Sequence, residues 1–213
     1  MSLARRLLQI LFFLFFVKPF MILFIGLRVR GYEHLPARDP FLLISNHSSH
    51  LDTVALLHLF PLGRLKNIRP VAAADYFSAN RFISCFSHTF FHILPIRRDS
   101  AKDLPPEAHP IEIMKRELQA GRSLILFPEG TRGTGEEMGE FRQGVAYLVE
   151  QIPELPVLPA YLINLGRSLP KGEFLPVPFF CEVRLGPALH PRGTRQEILA
   201  GLKQALLDLK EAK

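Results

Sequence analysis

The chain has 213 residues, of which 48% are hydrophobic and 22% are charged. This length is enough for one domain with a buried core and a short appendage, and it requires no second domain. The net charge of +6 and the pI near 9.6 argue against a cationic partner and favour an anionic one, either a membrane surface or a nucleic acid. The positive mean hydropathy and the apolar N-terminus favour the membrane over the nucleic acid.

Residues 7–27 are nearly all apolar, apart from Lys18 and Pro19 in the middle, and arginines flank them on both sides. As one helix they are about 31 Å long, roughly the thickness of a bilayer core. Lys18 and Pro19 either kink one spanning helix or mark the apex of two half-helices that enter and leave on the same side. A cleaved signal peptide is a further alternative, which the internal lysine and the lack of a clear small-residue cleavage site disfavour. We therefore predict a hydrophobic membrane anchor at residues 1–30 and the main domain at residues 31–213.

An apolar run at residues 41–44, Phe-Leu-Leu-Ile, has the pattern of a strand that is buried on both faces in a parallel sheet. Functional groups in such sheets collect beyond the carboxyl ends of the strands, where His47 is expected. Asp52 lies five residues further on, so we expect His47 in a strand-to-helix turn and Asp52 in the first turns of the helix. The carboxylate would then hold one ring nitrogen while the other takes a proton from a substrate hydroxyl.

The same stretch also fits a purely structural role. Ser49 and Asp52 have the spacing of a capping box, and an acid is favoured at the positive end of the helix dipole. Taken alone, residues 46–52 therefore leave catalysis and helix capping equally open.

Apolar strands and amphipathic helices alternate along the rest of the chain, which predicts an α/β layer structure. The predicted elements, in chain order, are a helix at 49–60, a strand at 67–74, a helix at 111–120, a strand at 123–127, a helix at 141–151, strands at 157–163 and 179–185, and a last helix after the capping box at Thr194 and Glu197.

The cysteines and most histidines lack a firm metal-binding pattern. Cys85 and Cys181 have neither metal-ligand spacing nor a secreted disulfide pattern, so we expect both to be reduced and buried in a protein that faces the cytoplasm. His88 and His92 have the spacing of a metal pair on a helix, although this spacing is more often structural.

A second stretch follows the predicted strand at residues 123–127. Residues 128–135 read Pro-Glu-Gly-Thr-Arg-Gly-Thr-Gly, and the backbone N–H groups and the guanidinium of such a loop suit a phosphate. A mobile glycine-rich hairpin loop is the alternative.

Together the two stretches form a specific pattern. Residues 46–52 contain Asn-His-x-x-x-x-Asp, and about eighty residues later residues 127–132 read Phe-Pro-Glu-Gly-Thr-Arg. This combination resembles the glycerolipid acyltransferases, the family that includes 1-acyl-glycerol-3-phosphate acyltransferase, and the similarity extends from about residue 31 to residue 187. The resemblance implies an α/β fold with a layered mixed sheet covered by helices, next to an N-terminal membrane-embedded helical segment.

The resemblance also implies an activity, namely O-acyl transfer from an acyl thioester to a hydroxyl of a lysophospholipid in phospholipid biosynthesis. The expected acceptor is 1-acyl-glycerol-3-phosphate, and the expected donor is acyl-CoA or acyl-carrier protein as a co-substrate, with no metal and no other cofactor. The expected partners are the lipid bilayer and these substrates but no nucleic acid, and the domain is expected on the cytoplasmic face of a membrane.

By the same resemblance, His47 is the general base and Asp52 orients it. Glu129 is expected to order the phosphate site or to contact the glycerol hydroxyls, and Pro159 to lie near the acyl donor. The residues expected around the acceptor's phosphate are Arg98, Gly130, Thr131 and Arg132.

Two positions depart from the family pattern. His92 stands where the block at residues 93–98 is usually preceded by glycine, and Gly133 replaces a common serine. We expect both changes to affect which acceptor is used more than which reaction occurs.

Two other classes of function remain as alternatives. A membrane-tethered metal-dependent hydrolase would use His47, His50 and Asp52 as its first ligands, but it leaves residues 128–132 unexplained. A lipid-binding module without activity would have no need of the histidine and aspartate pair.

Overall fold

The computed structural model describes residues 3–75, 81–97, 105–133, 138–170, 172–173 and 175–212. In these residues one seven-stranded sheet lies between two layers of helices. The strands are β1 (Arg28–Arg30), β2 (Leu42–Ser45), β3 (Ile68–Ala73), β4 (Leu94–Ile96), β5 (Ser123–Leu126), β6 (Val157–Ile163) and β7 (Glu182–Leu185).

The sheet is mixed, with the order β1-β7-β6-β2-β5-β3-β4. The five strands from β6 to β4 run parallel, whereas β7 is antiparallel to β6 and β1 is parallel to β7. The prediction of an α/β fold with a layered mixed sheet is therefore confirmed. Because β2 is a central strand and helices cover both faces of the sheet, all four of its residues are buried, which explains its uninterrupted apolar pattern.

The described helices are α1 (Leu3–Phe24), α2 (Leu51–His58), α3 (Arg81–Phe90), α4 (Pro110–Gln119), α5 (Gln143–Gln151), α6 (Leu165–Ser168) and α7 (Arg195–Glu211). One face of the sheet packs against α1, α2 and α6, and the other packs against α4, α5 and α7. In β2, Leu43 joins the first core while Leu42 and Ile44 join the second, since successive side chains of a strand point to opposite faces.

The N-terminal segment is one continuous helix that packs on the domain. It is α-helical as far as Phe12 and then contains two π-helical stretches, Phe13–Val17 and Phe20–Phe24. The helix continues through Lys18 and Pro19, and the Lys18 Nζ donates a 3.0 Å hydrogen bond to the carbonyl of His58.

Four side chains of this segment, spaced four residues apart, are at most 5% exposed inside the first core: Phe13, Val17, Met21 and Ile25. A π-helical turn contains more residues than an α-helical turn. Side chains four residues apart therefore stay on the side of the helix that faces the domain. α1 is long and apolar enough to cross a membrane, although the core helix of a soluble protein or a signal sequence would meet the same criterion. The division into an anchor and a separate main domain stays a prediction.

The predicted elements agree with the structure to different degrees. The strand predicted at 157–163 is β6, and the Thr194 capping box opens α7 with both of its hydrogen bonds present. The helix predicted at 49–60 is shorter, at Leu51–His58, and the strand predicted from residue 179 begins only at Glu182. Cys181 is buried as expected, but Cys85 is exposed, which corrects the prediction that both are buried.

Candidate active site

The two sequence motifs meet at one edge of the sheet. β2 and β5 are parallel neighbours, and Ile44 lies opposite Leu126. His47 and Glu129 each follow that pair by three residues. The backbone N–H of His47 donates a 2.9 Å hydrogen bond to Oε1 of Glu129, which joins the two turns directly.

The His47 side chain is paired with Asp52. Its Nδ1 lies 2.8 Å from Oδ2 of Asp52, whose side chain is fully buried. The same oxygen accepts hydrogen bonds from the backbone N–H groups of Ser48 at 2.6 Å and Ser49 at 2.8 Å. An oxygen that already accepts two backbone hydrogen bonds acts as an acceptor, so Nδ1 is the donor of this contact and carries the hydrogen.

Asp52 therefore serves the fold as well as the histidine. It closes the turn before α2, and the Ser49 hydroxyl completes this turn by accepting from the N–H of Leu51 at 3.1 Å and donating to the carbonyl of Leu169 at 2.8 Å. The Asp52 carboxylate is thus able both to orient His47 and to close the turn before α2. The two roles that the sequence left as alternatives are therefore compatible.

The other ring nitrogen of His47 is available for chemistry. The imidazole stacks on Phe127, with the ring centroids 3.9 Å apart and the planes 14° from parallel, and 19% of the side chain remains exposed. Within the described residues Nε2 has no hydrogen bond. With hydrogen on Nδ1, Nε2 is an acceptor that is able to take a proton from a hydroxyl.

Glu129 has both of its carboxylate oxygens bonded to backbone. It is 6% exposed, and Oε2 accepts a 2.8 Å hydrogen bond from the N–H of Gly139. Together with the bond to His47, this contact connects the segment before α5 to the turn after β2. The geometry thus favours the ordering role for Glu129 over contact with glycerol hydroxyls.

The loop that follows Glu129 is tied to the same turn. Gly130 has a φ of +71°, which favours glycine, and an added Cβ would lie 3.3 Å from Cγ of Arg142. The N–H of Gly133 donates to the carbonyl of His47 at 2.9 Å. Gly133, which departs from the family pattern, therefore contacts through its backbone the turn at residues 46–50, which holds His47 and is the candidate catalytic turn.

A cavity of about 410 Å³ lies beside this loop. Its lining includes Glu129, Thr131, Phe141 and Arg142. Arg142 was not among the predicted site residues, although its N–H is bonded to the carbonyl of Pro128 at 2.8 Å and its side chain lies against Gly130. The sequence feature that could have indicated this residue is Phe-Arg-x-Gly, which starts at residue 141.

Arg132 lies close to the catalytic turn. Its Nη1 is buried and has no hydrogen-bonding partner among the residues described. Partial burial of the His50 ring, followed by the charges of Arg132 and His47, lowers the pKa of His50. A cation whose donor is unmet in this position is able to receive an anionic oxygen.

Two predicted site residues remain, Arg98 and Pro159. Arg98 lies outside the described residues. Pro159 is buried within β6, opposite Ile44, and its Cγ lies 3.1 Å from where a Cβ would stand at Gly186. It does not line the cavity beside the loop that follows Glu129.

One further residue of the first motif was missed. Asn46 fastens the end of β2 to β6, because its Nδ2 donates to the carbonyl of Leu162 at 3.0 Å and its Oδ1 accepts from the N–H of the same residue at 2.7 Å. For the metal-hydrolase alternative, the described parts of the chain contain no group of three His, Cys, Asp or Glu side chains suited to a metal ion.

Curated proteins similar in sequence to this chain are acyltransferases. The 1-acyl-sn-glycerol-3-phosphate acyltransferase of Pseudomonas aeruginosa is 29% identical over 180 residues, which cover 83% of this chain and 64% of that protein. The chloroplastic 1-acyl-sn-glycerol-3-phosphate acyltransferase LPAT1 of Arabidopsis thaliana is 28% identical over 152 residues, which cover 70% of this chain and 39% of that protein. The chain thus spans between about two fifths and two thirds of the length of these relatives.

A solved structure shows the same fold. The crystal structure of the 1-acyl-sn-glycerophosphate acyltransferase PlsC from Thermotoga maritima matches with a TM-score of 0.65 at 17% identity, over 100% of both chains. The family model described as Acyltransferase matches residues 26–163, which include both motifs and well over half of the chain. The chain therefore belongs to the acyltransferase family.

Proposed function

We propose that the protein transfers a fatty acyl group from an acyl thioester to the free hydroxyl of 1-acyl-glycerol-3-phosphate, a step of phospholipid biosynthesis. The observation on which this rests is the 2.8 Å contact between His47 Nδ1 and Asp52 Oδ2, with Nε2 left open at the common end of β2 and β5. This arrangement suits the activation of a hydroxyl by a general base and requires no protein nucleophile.

The reaction follows from this pair. The acceptor's hydroxyl gives its proton to Nε2 of His47 while its oxygen attacks the carbonyl carbon of the thioester. The buried Asp52 carboxylate stabilises the imidazolium that forms. The tetrahedral intermediate then breaks its C–S bond, and the leaving sulfur takes the proton from the imidazolium. An ester and a free thiol result, and His47 returns to its neutral form.

Two observations support the proposed acceptor. The relatives from Pseudomonas aeruginosa and Arabidopsis thaliana are both named 1-acyl-sn-glycerol-3-phosphate acyltransferases. The second support is cationic: Nη1 of Arg132 has no hydrogen-bonding partner among the described residues, and the Arg142 side chain lies against Gly130 and lines the 410 Å³ cavity. Guanidinium donors of this kind suit a phosphate. The donor is proposed to be acyl-CoA or acyl-carrier protein, which acts as a co-substrate.

The proposed location is a membrane surface with the catalytic domain on the cytoplasmic side. The outward face of α1 is apolar and exposed, and its most exposed large residues past the first turn are Phe15, Phe16 and Leu23, at 64%, 66% and 82%. Because the inward face of α1 is packed into the domain core, we propose that the helix lies along the membrane surface with only its outward face in lipid.

A second apolar segment supports this orientation. Leu175 and Phe180 are 83% and 81% exposed, on the loop that leads into β7. The loop is held by Ser168 of α6, whose hydroxyl donates to the carbonyl of Val177 at 2.7 Å. Since α6 and α1 cover the same face of the sheet, one bilayer surface is able to contact both.

The test is an acceptor panel. The purified chain in detergent is given a labelled acyl-CoA or acyl-carrier protein with lysophosphatidic acid, glycerol 3-phosphate, or lysophospholipids that have larger head groups. We expect transfer to lysophosphatidic acid with the highest kcat/KM. Thioester hydrolysis without transfer to any acceptor, or activity that a chelator abolishes, would contradict the proposal.

A further inference from the structure

A second cavity lies at the opposite end of the sheet from His47. It has a volume of about 820 Å³, which is within the range of about 300 to 1,000 Å³ that is usual for small-molecule sites. Arg69 lies near the start of β3, Arg122 just precedes β5 and His92 precedes β4, and all three line it. The six residues of β3 at about 3.3 Å each place this basic cavity roughly 20 Å from the catalytic turn.

The lining of the basic cavity is strongly cationic. Its charged side chains are Arg5, Arg6, Lys66, Arg69, Arg122 and Glu117. Among the described residues, five cations and one carboxylate leave a net charge of +4 around one concave surface. None of the described residues that we propose for acyl transfer lines it.

The single carboxylate does not neutralise this surface. Arg122 makes two hydrogen bonds to Glu117, through Nη2 to Oε1 at 2.9 Å and through Nε to Oε2 at 2.5 Å. Arg69 lies 3.4 Å from the same Oε2. Glu117 therefore holds two guanidiniums side by side, and each has further N–H groups beyond those that face the carboxylate. Two adjacent arginines with spare donors suit the oxygens of a phosphate.

His92 is an unusual residue for its place in this cavity. Its φ is +52°, a conformation that glycine adopts easily and other residues rarely do. Neither buried ring nitrogen makes a hydrogen bond of normal geometry within the described structure, although the backbone of Leu65 is close enough to influence the ring's pKa. The departure from the family pattern at residue 92 thus affects this cavity and not the catalytic turn. An imidazole kept in this conformation without a good partner is available to a ligand.

The cavity also adjoins the apolar face of α1. Arg5 and Arg6 stand in the first turns of that helix, and Leu7, Leu8 and Leu11 nearby are 55%, 49% and 42% exposed. A molecule with its head in the cavity would therefore find an apolar strip for its tail directly alongside.

We propose that the basic cavity binds the phosphate head group of an anionic phospholipid, whose acyl chains lie along the outward face of α1. The head group would be held by the guanidiniums of Arg69 and Arg122, with Lys66 and the His92 imidazole as further donors. A free phosphate compound shares this head-group chemistry, but only a lipid uses the adjoining leucines. This inference rests on the proposed membrane location of α1 and is independent of the acyl-transfer chemistry.

The experiment measures lipid retention by native mass spectrometry of the full chain in detergent, with added phosphatidylglycerol or phosphatidylcholine. Removing one cation near an anionic lipid costs about 1 kcal/mol, which is about fivefold in affinity, so Lys66→Gln with Arg69→Gln should weaken phosphatidylglycerol binding roughly 25-fold. The matched control is Arg192→Gln with Arg195→Gln, since both arginines are exposed, remote from the cavity, and change the net charge equally. The control should change binding less than twofold.

His92→Gly provides a variant whose backbone is relieved of strain, because glycine suits a φ of +52°. Its thermal midpoint should equal or exceed that of the wild type, while its phosphatidylglycerol affinity should fall severalfold. Thermal melting of the double variant shows whether that variant is folded.

Three results would overturn the inference. The first is equal loss of lipid in the cavity variants and the remote control, which would indicate bulk charge alone. The second is equal retention of phosphatidylcholine and phosphatidylglycerol by the wild type. The third is binding of inorganic phosphate or adenosine 3′,5′-bisphosphate with the same dependence on Lys66 and Arg69 but no binding of lipid, which would assign the cavity to a soluble ligand. None of these readouts depends on acyl transfer, so failure here leaves the proposed reaction standing.

Discussion

The backbone N–H of His47 is bonded to Oε1 of Glu129 at 2.9 Å, although 82 residues separate the two in sequence. The second carboxylate oxygen of Glu129 accepts from Gly139. One buried side chain thus fixes the position of the catalytic turn relative to the loop proposed to bind phosphate. A carboxylate is suited to this position because it offers acceptors in both directions and no donor.

Glu129→Gln tests this connection. The amide would place an NH₂ group against a backbone N–H, so one hydrogen bond would be lost at a buried site, at a cost of about 1 to 3 kcal/mol in stability. We expect a lower thermal midpoint and a kcat reduced by at least roughly tenfold, since the His47 turn loosens. Glu154→Gln, at a side chain that is 84% exposed, is the control. Wild-type melting and turnover in the Glu129 variant would show that the connection is dispensable.

His47→Ala tests the general base. Loss of this group should lower kcat by roughly 100-fold to 10,000-fold. The variant should still fold, because the Asp52 oxygen keeps its two backbone hydrogen bonds without the imidazole, and thermal melting checks this. His50→Ala should be much milder, since His50 has no proposed role in proton transfer. Comparable losses at both histidines, with zinc in the purified protein, would instead favour the hydrolase.

Arg132→Ala and Arg142→Ala test the phosphate site. If each arginine makes a charge-assisted hydrogen bond to the acceptor worth about 1.5 to 3 kcal/mol, each substitution should raise the acceptor's KM roughly 10-fold to 150-fold. The donor's KM should hardly change, and Arg132→Lys should recover only part of the loss. We expect the same selectivity for Arg98→Ala by family resemblance. A rise in the donor's KM alone would assign these arginines to the thioester.

Substitutions on the exposed apolar surface test membrane contact. Deleting α1 is unsuitable, because the deletion would remove Phe13, Val17 and Met21 from the core. Phe15→Ser with Leu23→Ser should instead weaken vesicle binding at least roughly tenfold, as each large apolar side chain contributes about 1.5 to 3 kcal/mol on burial.

Leu175→Ser with Phe180→Ser should act in the same direction if the loop before β7 also enters lipid. Both pairs should leave the thermal midpoint unchanged, and co-sedimentation with vesicles after a high-salt wash measures the effect. Undiminished sedimentation of all variants would show that another surface attaches the protein.

His58 predicts a pH dependence of stability. Burial, with a contribution from the charge of Lys18, lowers the pKa of His58 to about 4 from 6.5. The unfolded chain therefore takes up this proton first, so stability should fall as the pH drops from about 6.5 to about 4, by about 1 to 2 kcal/mol after allowance for partial exposure.

His58→Leu should flatten this part of the profile, whereas His190→Gln at an exposed position should not. Thermal midpoints between pH 7 and pH 4 measure the difference. Burial also lowers the pKa of His92 to about 4, so a smaller slope should remain. An unchanged slope in the His58 variant would contradict the assignment.

Local sequence was sufficient to predict those structural features that depend only on residues close together in the chain. β6 has the predicted limits because its apolar residues occur in one uninterrupted run between turn residues. α7 begins where predicted because the Thr194 and Glu197 bonds of a capping box form within four residues. The pairing of His47 with Asp52 is similarly local, since one turn and the start of one helix bring the two together.

The rest of the site depends on strand order and register. Glu129 meets His47 only because β2 and β5 are neighbours with Ile44 opposite Leu126. Phe127 stacks on the imidazole for the same reason, and Arg142 reaches the loop because Glu129 holds the Gly139 segment in place. A pattern within one strand contains no information about its register with a strand eighty residues away.

The sequence by itself determined the family motifs, the alternation of strands and helices, and the presence of a long apolar N-terminal helix. Only the tertiary structure decided which apolar surfaces are covered. Phe13 and Phe15 are equally apolar, yet one is in the core and the other is exposed. His92 likewise lies at the cationic end of the sheet, away from the catalytic turn. The free energy of a hydrophobic side chain falls when it leaves water. Whether protein or lipid covers that side chain depends on the packing of elements that are distant in sequence.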